Sequence, residues 1–485
     1  MLFNSVEFLI FFIVVTAVFF VVPKIARNYV LLVASYVFYA WWNVLLSLVL
    51  IFVTLVSYFS AIMMENVPEK KKLFLVLSFI AIIGTLFFFK YYNFFARGVA
   101  LFANVIGGAK FNITFDIVLP IGISFYTFQA LSYVADVYSG KTANEKNIFI
   151  YALYLSFYPQ LIAGPIERSG DLIPQLKVEH VYNENDFIEG FKLMAIGFFE
   201  KIAVADILGV IVNATYENLS GASGLAVLIA TLAFSAQILC DFKGYSDIAK
   251  GLARVYGIRL SDNFNAPYLA VSVRDFWRRW HITLSHWLRD YLYIPLGGSR
   301  VSFIRYAFNV LIVFVVSGLW HGAALNYLVW GVLHALVQIA EKGAEKLFRF
   351  KENKLKTALK TCVTFIIVTL LWVPFRSADI YAALSAYAKL FTDWAFTGAY
   401  FSATATFLSL TPSFAVAAAI ILALYFSYAR ILKASTRLYQ RGGAAKNVGV
   451  ALKYLTYSAL IAVTAASFIY LKSVDISSSF IYFAF

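Results

Sequence analysis

Apolar runs of membrane-crossing length recur from one end of the chain to the other, separated by short polar stretches. About 30 Å of hydrocarbon takes roughly 20 helical residues to cross. Stretches near 5–23, 73–95, 191–214, 223–242, 303–320, 324–341, 356–375, 413–431 and 450–471 approach that length. The segment 29–64 reads as two further spans broken at Trp41-Trp42-Asn43. The pattern predicts an all-α, polytopic helical membrane protein of roughly eleven spans. The segments 117–134 and 146–163 are interrupted by Pro120, Gly122, Pro159 and Gly164, which predicts short, kinked or re-entrant helices. Phe8 to Val22 is followed by Pro23-Lys24 with no small-residue cleavage site, and is read as a retained helix.

Two polar connectors interrupt this pattern. Arg168 to Asp186 reads as a solvated loop, with His180 on its surface. Asp241 to Pro267 carries Lys, Arg and Asp at helical spacing and reads as an interfacial segment that does not span. No Ser/Pro/Gly-rich linker or repeat divides the chain, so residues 1–485 form one integral membrane domain. Basic clusters at Lys24–Arg27, Lys70–Lys72, Arg274–Arg305, Lys346–Lys360 and Arg430–Lys446 are expected on the cytosolic side, with both termini outside.

Composition agrees. The 485 residues are 61% hydrophobic and 18% aromatic, with Phe 48 and Tyr 31, and mean hydropathy is +0.77. A soluble domain is only about half apolar. The net charge of +14 is assigned to cytosolic loops, and nucleic acid is not an expected partner. Cys240 and Cys362 both lie in apolar runs, which leaves neither a disulfide framework nor a zinc cluster.

One stretch breaks the apolar background with chemistry: Arg274 to Arg300, R-D-F-W-R-R-W-H-I-T-L-S-H-W-L-R-D-Y-L-Y-I-P-L-G-G-S-R, with S-G-L-W-H-G at Ser317 to Gly322 as its counterpart. Charged and imidazole groups at membrane depth are costly and mark polar cavities. On one predicted helix His281 and His286 sit about 140° apart, so they do not share a face. His281 aligns with Arg278 and Ser285 on a polar stripe, with Trp277 and Trp280 on apolar ones. His321 is the sharpest candidate, because it ends an apolar run where an unpaired imidazole is expensive. Gly318 and Gly322 beside it leave room for another helix or an acyl chain. On the residues alone, a packed structural histidine and a catalytic one fit His321 about equally. His334, on an apolar helix, reads as a core histidine bonded to a neighbour. His286 and Asp290 at i, i+4 are a weak metal signal, and no metal is expected. Neither G-x-S-x-G nor G-x-x-x-x-G-K-[ST] occurs.

These motifs, with P-I-G-I-S-F-Y-T-F-Q at Pro120 to Gln129, F-Y-P-Q-L-I-A-G-P-I at Phe157 to Ile166 and D-F-K-G-Y-S-D-I-A-K-G at Asp241 to Gly251, closely resemble the membrane-bound O-acyltransferase family, in particular its bacterial alginate and peptidoglycan O-acetylase branch. The resemblance covers about 120–335. It implies helices around a central tunnel, His321 and His281 as the family's two histidines, and a bacterial cytoplasmic membrane location. An acyl thioester, acetyl-CoA or an acyl carrier, is the implied co-substrate, with no tightly bound cofactor. The implied partners besides membrane lipids are a polysaccharide acceptor and an extracytoplasmic esterase-like transfer protein. On this reading His321 is a general base, for which an imidazole titrating near neutral pH is suited, and His281 with Arg278 orients the donor or stabilises developing charge. Trp277, Trp280, Ser285, Asn309, Ser317, Trp320, Gln129 and Asp247 are the expected tunnel-lining groups. D-alanyl or other acyl transfer to an envelope polymer, a lipid or polysaccharide transporter, and a scaffold are the rival readings. Transporters often carry two-fold hydropathy symmetry, which this chain does not display.

Overall fold

The computed structural model describes residues 1–107, 113–347, 353–474 and 480–481. Residues 348–352 of the basic Lys346–Lys360 connector lie outside that set. Among the described residues every regular element is helical, as expected of an all-α membrane protein. Seven helices are long and apolar enough to cross a membrane: Val44–Asn66, Pro68–Asn104, Gly224–Val255, Phe303–His321, Lys354–Arg376, Ser413–Arg441 and Gly443–Ser473. Val6–Val21 is apolar but shorter, and Arg27–Ala40 has 14 residues. The expected eleven spans also counted these two and the segments 191–214 and 324–341, which are not among the seven.

The predicted break in 29–64 falls where Trp41-Trp42-Asn43 stood out. The Trp41 and Trp42 amides close the end of one helix on the Val37 and Tyr39 carbonyls, and the Asn43 side chain accepts from Leu45 and Leu46 to start the next. Such a cap supplies partners for amides that a helix start leaves orphaned. The 117–134 interruption also holds: residues 113–122 are irregular, and a helix runs from Ile123 to Tyr138. In 146–163, Ile148–Ser156 and Tyr158–Leu161 are separate helices hinged at Phe157.

Three expectations are corrected. Asp241 does not begin a separate segment; it lies within the 32-residue helix Gly224–Val255. That helix tolerates charge because Asp241 meets Lys201 at 2.6 Å and Lys243 meets Glu200 and Asp247 at 2.7 Å. The Arg168–Asp186 connector is not merely a solvated loop, since it holds the helix Ser169–Lys177. His180 within it is buried, packs on Phe19, and its carbonyl accepts from Arg27. Finally, Arg274–Arg300 is not one helix: Val273–Arg279 ends at Trp280, and a new helix runs from Ile282 to Leu288.

The Gly224–Val255 helix is the spine. Its second half packs with the helices up to Met194 in one aromatic core, and its first half packs with Phe276, Trp280, Trp330 and Trp372 in another. Polar groups placed between these cores are held on both sides.

Candidate active site

A helix end and a helix break build the site at that seam. His321 is the last residue of Phe303–His321 and is 2% exposed. Its ring lies 4.9 Å from Trp320, 5.1 Å from Trp330 and 5.2 Å from Phe375, centroid to centroid, nearly edge-on to each. His281 occupies the break between the two short helices, fully buried, with φ of +44° in the left-handed region. Side chains rarely adopt that conformation, and holding one there costs on the order of 1–3 kcal/mol. The packing that enforces it is Phe242 at 4.6 Å, Phe125 at 6.3 Å and Trp320 at 5.9 Å. Trp320 thus packs against both histidines, and its own Nε1 donates to the Ser124 carbonyl at 3.3 Å.

His321 lines a cavity of about 410 Å³ together with Trp42, Lys90, Gly122, Ser124 and Trp320. The outer wall carries the exposed Trp42 and Val118, while Trp320 and His321 are buried at its inner end. This mouth lies at the far ends of Arg27–Ala40 and Val44–Asn66 from Lys24–Arg27 and Lys70–Lys72. At 1.5 Å per residue the longer helix separates the two faces by about 34 Å. The cavity therefore opens on the face opposite the basic loops.

Lys90 completes the inner wall. The π-helical turn Phe87–Tyr91 turns it so that Nζ donates to the Trp320 carbonyl at 2.5 Å, the His321 carbonyl at 3.2 Å and Ser124 Oγ at 3.1 Å. Tyr91 donates to the Leu319 carbonyl at 2.8 Å. Carbonyls that end a helix have no partner within it and favour a cation nearby. Lys90 and Tyr91 are not among the sequence candidates. The signal for Lys90 was a lone charge in F-F-F-K-Y-Y, inside an apolar span.

The remaining candidates divide by position. Trp277 donates to His334 Nδ1 at 3.2 Å, so His334 has the neighbouring bond expected of it and also packs 5.0 Å from Trp330. Trp280 stacks on Phe276 and lies 5.0 Å from Trp372. Ser317 is buried one turn before His321. Gln129 is buried on Ile123–Tyr138. Others are not brought to His321. The helix break removes the stripe drawn through Arg278, His281 and Ser285: Arg278 is exposed, and Ser285 donates to the Trp280 carbonyl at 3.3 Å. Asn309 lies three helical turns away, about 18 Å along the axis, and donates to the Gly298 carbonyl. Asp247 is paired with Lys243 and Lys250. The space beside Gly318 and Gly322 is taken by a helix rather than an acyl chain, since a Cβ at either would strike Tyr327. Asp290 is engaged by Arg168 and Arg289.

Residues 144–384 match the sequence profile of MBOAT, the membrane-bound O-acyltransferase family. The chain is 37% identical over 396 residues to a probable alginate O-acetylase of Pseudomonas aeruginosa, covering 81% of this chain and 75% of that protein. The chain belongs to the membrane-bound O-acyltransferase family. A second member, the peptidoglycan O-acetyltransferase of Helicobacter pylori, is 34% identical over 421 residues, covering 79% of this chain and 78% of its own. A teichoic acid D-alanyltransferase of Bacillus subtilis is 25% identical over 264 residues, half of this chain and 65% of its own length. The family match places both site histidines within its span. As a family member the chain is a multi-pass membrane O-acyltransferase, and the relatives it matches over most of its length are named for O-acetyl transfer.

Proposed function

We propose that this protein moves an acetyl group from a thioester on the basic, cytosolic face to hydroxyls of an envelope polysaccharide on the other, with His321 as general base. The carrying observation is the position of His321 at the inner end of a cavity that opens opposite the basic loops. The basic face is taken as cytosolic by its Lys and Arg content, and the membrane as the bacterial inner membrane. The names of the alginate and peptidoglycan relatives support a polysaccharide acceptor.

In the proposed step His321 accepts the proton of an acceptor hydroxyl, either on the glycan or on a serine of an extracytoplasmic transfer protein. The oxygen attacks the thioester carbonyl carbon. The tetrahedral adduct then expels thiolate, which takes the proton back from the imidazolium, so proton and acyl accounts close. A placed imidazole contributes about 10²- to 10⁴-fold to such a reaction. Negative charge on the adduct is favoured by positive groups already in place. Lys90 and the start of the Ile123–Tyr138 helix, both on the cavity wall, supply that sign. His281, packed against Trp320, is assigned the role of orienting the donor side.

The test is acetyl transfer by purified His321→Ala beside the wild type, with folding followed by gel filtration and thermal unfolding. Loss of transfer by about 10²-fold or more in a folded variant supports the reading. Transfer at the wild-type rate ends it.

A further inference from the structure

The helix Pro68–Asn104 is longer than the membrane it crosses. Its 37 residues extend about 55 Å at 1.5 Å each, against about 30 Å of hydrocarbon. Lys70–Lys72 mark its basic start, so roughly 20 residues bring it to the opposite surface near Tyr92. A tilt of about 20° lengthens the crossing by only about two residues. The remaining stretch, about 18 Å, stands beyond the hydrocarbon on the side where the His321 cavity opens. Apolar surface left exposed outside lipid marks contact with another molecule. Phe95, Val99 and Phe102, spaced to share one helix face, are all exposed, Phe102 by 68%.

This face lines a groove of about 730 Å³ together with Ala323 and Leu325, two and four residues past His321. Lys90 borders both the groove and the His321 cavity. The helix is fixed where it emerges. Asn93 exchanges two hydrogen bonds with the Phe115 backbone at 2.8 and 3.1 Å, and Tyr92 stacks on the Phe115 ring at 5.1 Å. Phe115 belongs to the same irregular segment as Val118 at the cavity mouth, so groove and mouth are tied together. The polar groups of the groove are Lys90, Asn93 and Arg97, and among the described residues no carboxylate lines it.

We propose that this groove docks the extracytoplasmic transfer protein, through a segment that sets apolar side chains on Phe95, Val99 and Phe102 and a carboxylate on Arg97. This rests on the reading of His321 as general base, with a serine of that protein as the hydroxyl it serves. Opposite charge across a docking surface steers the encounter and fixes its register, and Arg97 is the exposed cation of the groove. A partner seated there is separated from the His321 cavity by one side chain, Lys90. The step it then undergoes is the one given above: the serine oxygen bonds the acetyl carbon, the C–S bond breaks, and the thiolate receives the serine proton by way of His321.

The experiment places a benzophenone amino acid at Phe95, Phe102 or Phe88 of the full chain, in cells of its own source, where the natural partner is present. Phe88 is also exposed but lies in the part of the helix within hydrocarbon, and serves as the lipid control. After irradiation the adducts are treated with a fluorophosphonate, which labels an activated serine. The expected result is a labelled protein adduct from positions 95 and 102 and none from 88. Arg97→Glu should lower its yield about tenfold or more, since like charges then meet across the surface, and Arg97→Lys should restore it. Gel filtration checks the fold, and Phe102→Asp, read from position 95, replaces Arg97→Glu if that variant does not fold. Adducts with phospholipid alone, with a second copy of this chain or with a protein that takes no label overturn the docking surface. A labelled adduct whose yield ignores the charge reversal, or the aspartate in its stead, overturns it equally. His321→Ala should keep the adduct while glycan acetylation is lost; acetylation that persists beside an intact adduct ends the general-base reading and leaves the groove standing.

Discussion

Two regions of this molecule hold polar side chains at membrane depth, and they do so in opposite ways. Around Lys201 the method is charge pairing. Lys201 is 1% exposed and bonds Asp206 at 2.7 Å and Asp241 at 2.6 Å, while Lys243 serves Glu200 and Asp247, and Tyr428 donates to Glu200 at 2.9 Å. Around His321 the method is aromatic enclosure on several sides and a cavity on the remaining one. Buried ion pairs seldom add stability over apolar packing, but losing one partner leaves a stranded charge. An imidazole walled by rings and open to a cavity is placed for proton transfer. The first region thus resists change through its fold, and the second through its chemistry.

The sharpest way to break this contrast is to remove a partner from the ionic region. Lys201→Met should cost about 3–5 kcal/mol, seen as a large drop in the denaturation midpoint or in the yield of folded protein. The acetyl transfer rate of whatever folds should stay near that of the wild type. A variant with normal stability and no activity would move Lys201 into the chemistry. Lys90→Met lies between the regions, since its ammonium both bonds helix-end carbonyls and borders the cavity. Hydrogen bonds from a charged group are worth about 1.5–3 kcal/mol, so a moderate fall in stability should accompany a fall in kcat. Loss of stability alone would make Lys90 a clamp and nothing more.

Smaller effects refine the picture. Trp277→Phe keeps a ring but deletes the donor to His334 Nδ1, and should lower stability by about 0.5–1.5 kcal/mol with transfer retained. Inactivity at full stability would bring His334 into the mechanism. A last effect, spread over pH, concerns Glu167, in the connector after Ile162. Burial pushes its carboxyl from 4.5 up to about 7, against the opposing hydrogen bonds from Ser261. The fold favours the neutral form, so this contribution is complete below about pH 4.5 and is lost as pH rises toward 7. Unfolding midpoints measured across that window should fall less steeply for Glu167→Gln than for wild type. Identical slopes would show that another group governs the dependence.

Much of this was legible in the chain because hydropathy and breaker residues act locally. Trp41-Trp42-Asn43, Pro120-Gly122 and Pro159-Gly164 each mark an interruption that the structure contains. What escaped depends on partners distant in sequence. The helix through Asp241 continues because Lys201 and Glu200 lie alongside it, and nothing near Asp241 in the chain announces them. His281 was placed within a regular helix because its neighbours have helical spacing. Its left-handed backbone arises from packing against Phe242, Phe125 and Trp320. The same break explains why Arg278, three positions earlier, is exposed.

The cage around His321 draws on residues as early as Lys90 and as late as Phe375. A ribosome delivering this polypeptide into the bilayer must therefore release more than three quarters of it before the last ring of the cage arrives. Until then a nascent chain lacks the enclosure that surrounds the imidazole, so the acquisition of reactivity waits on the insertion of Lys354–Arg376.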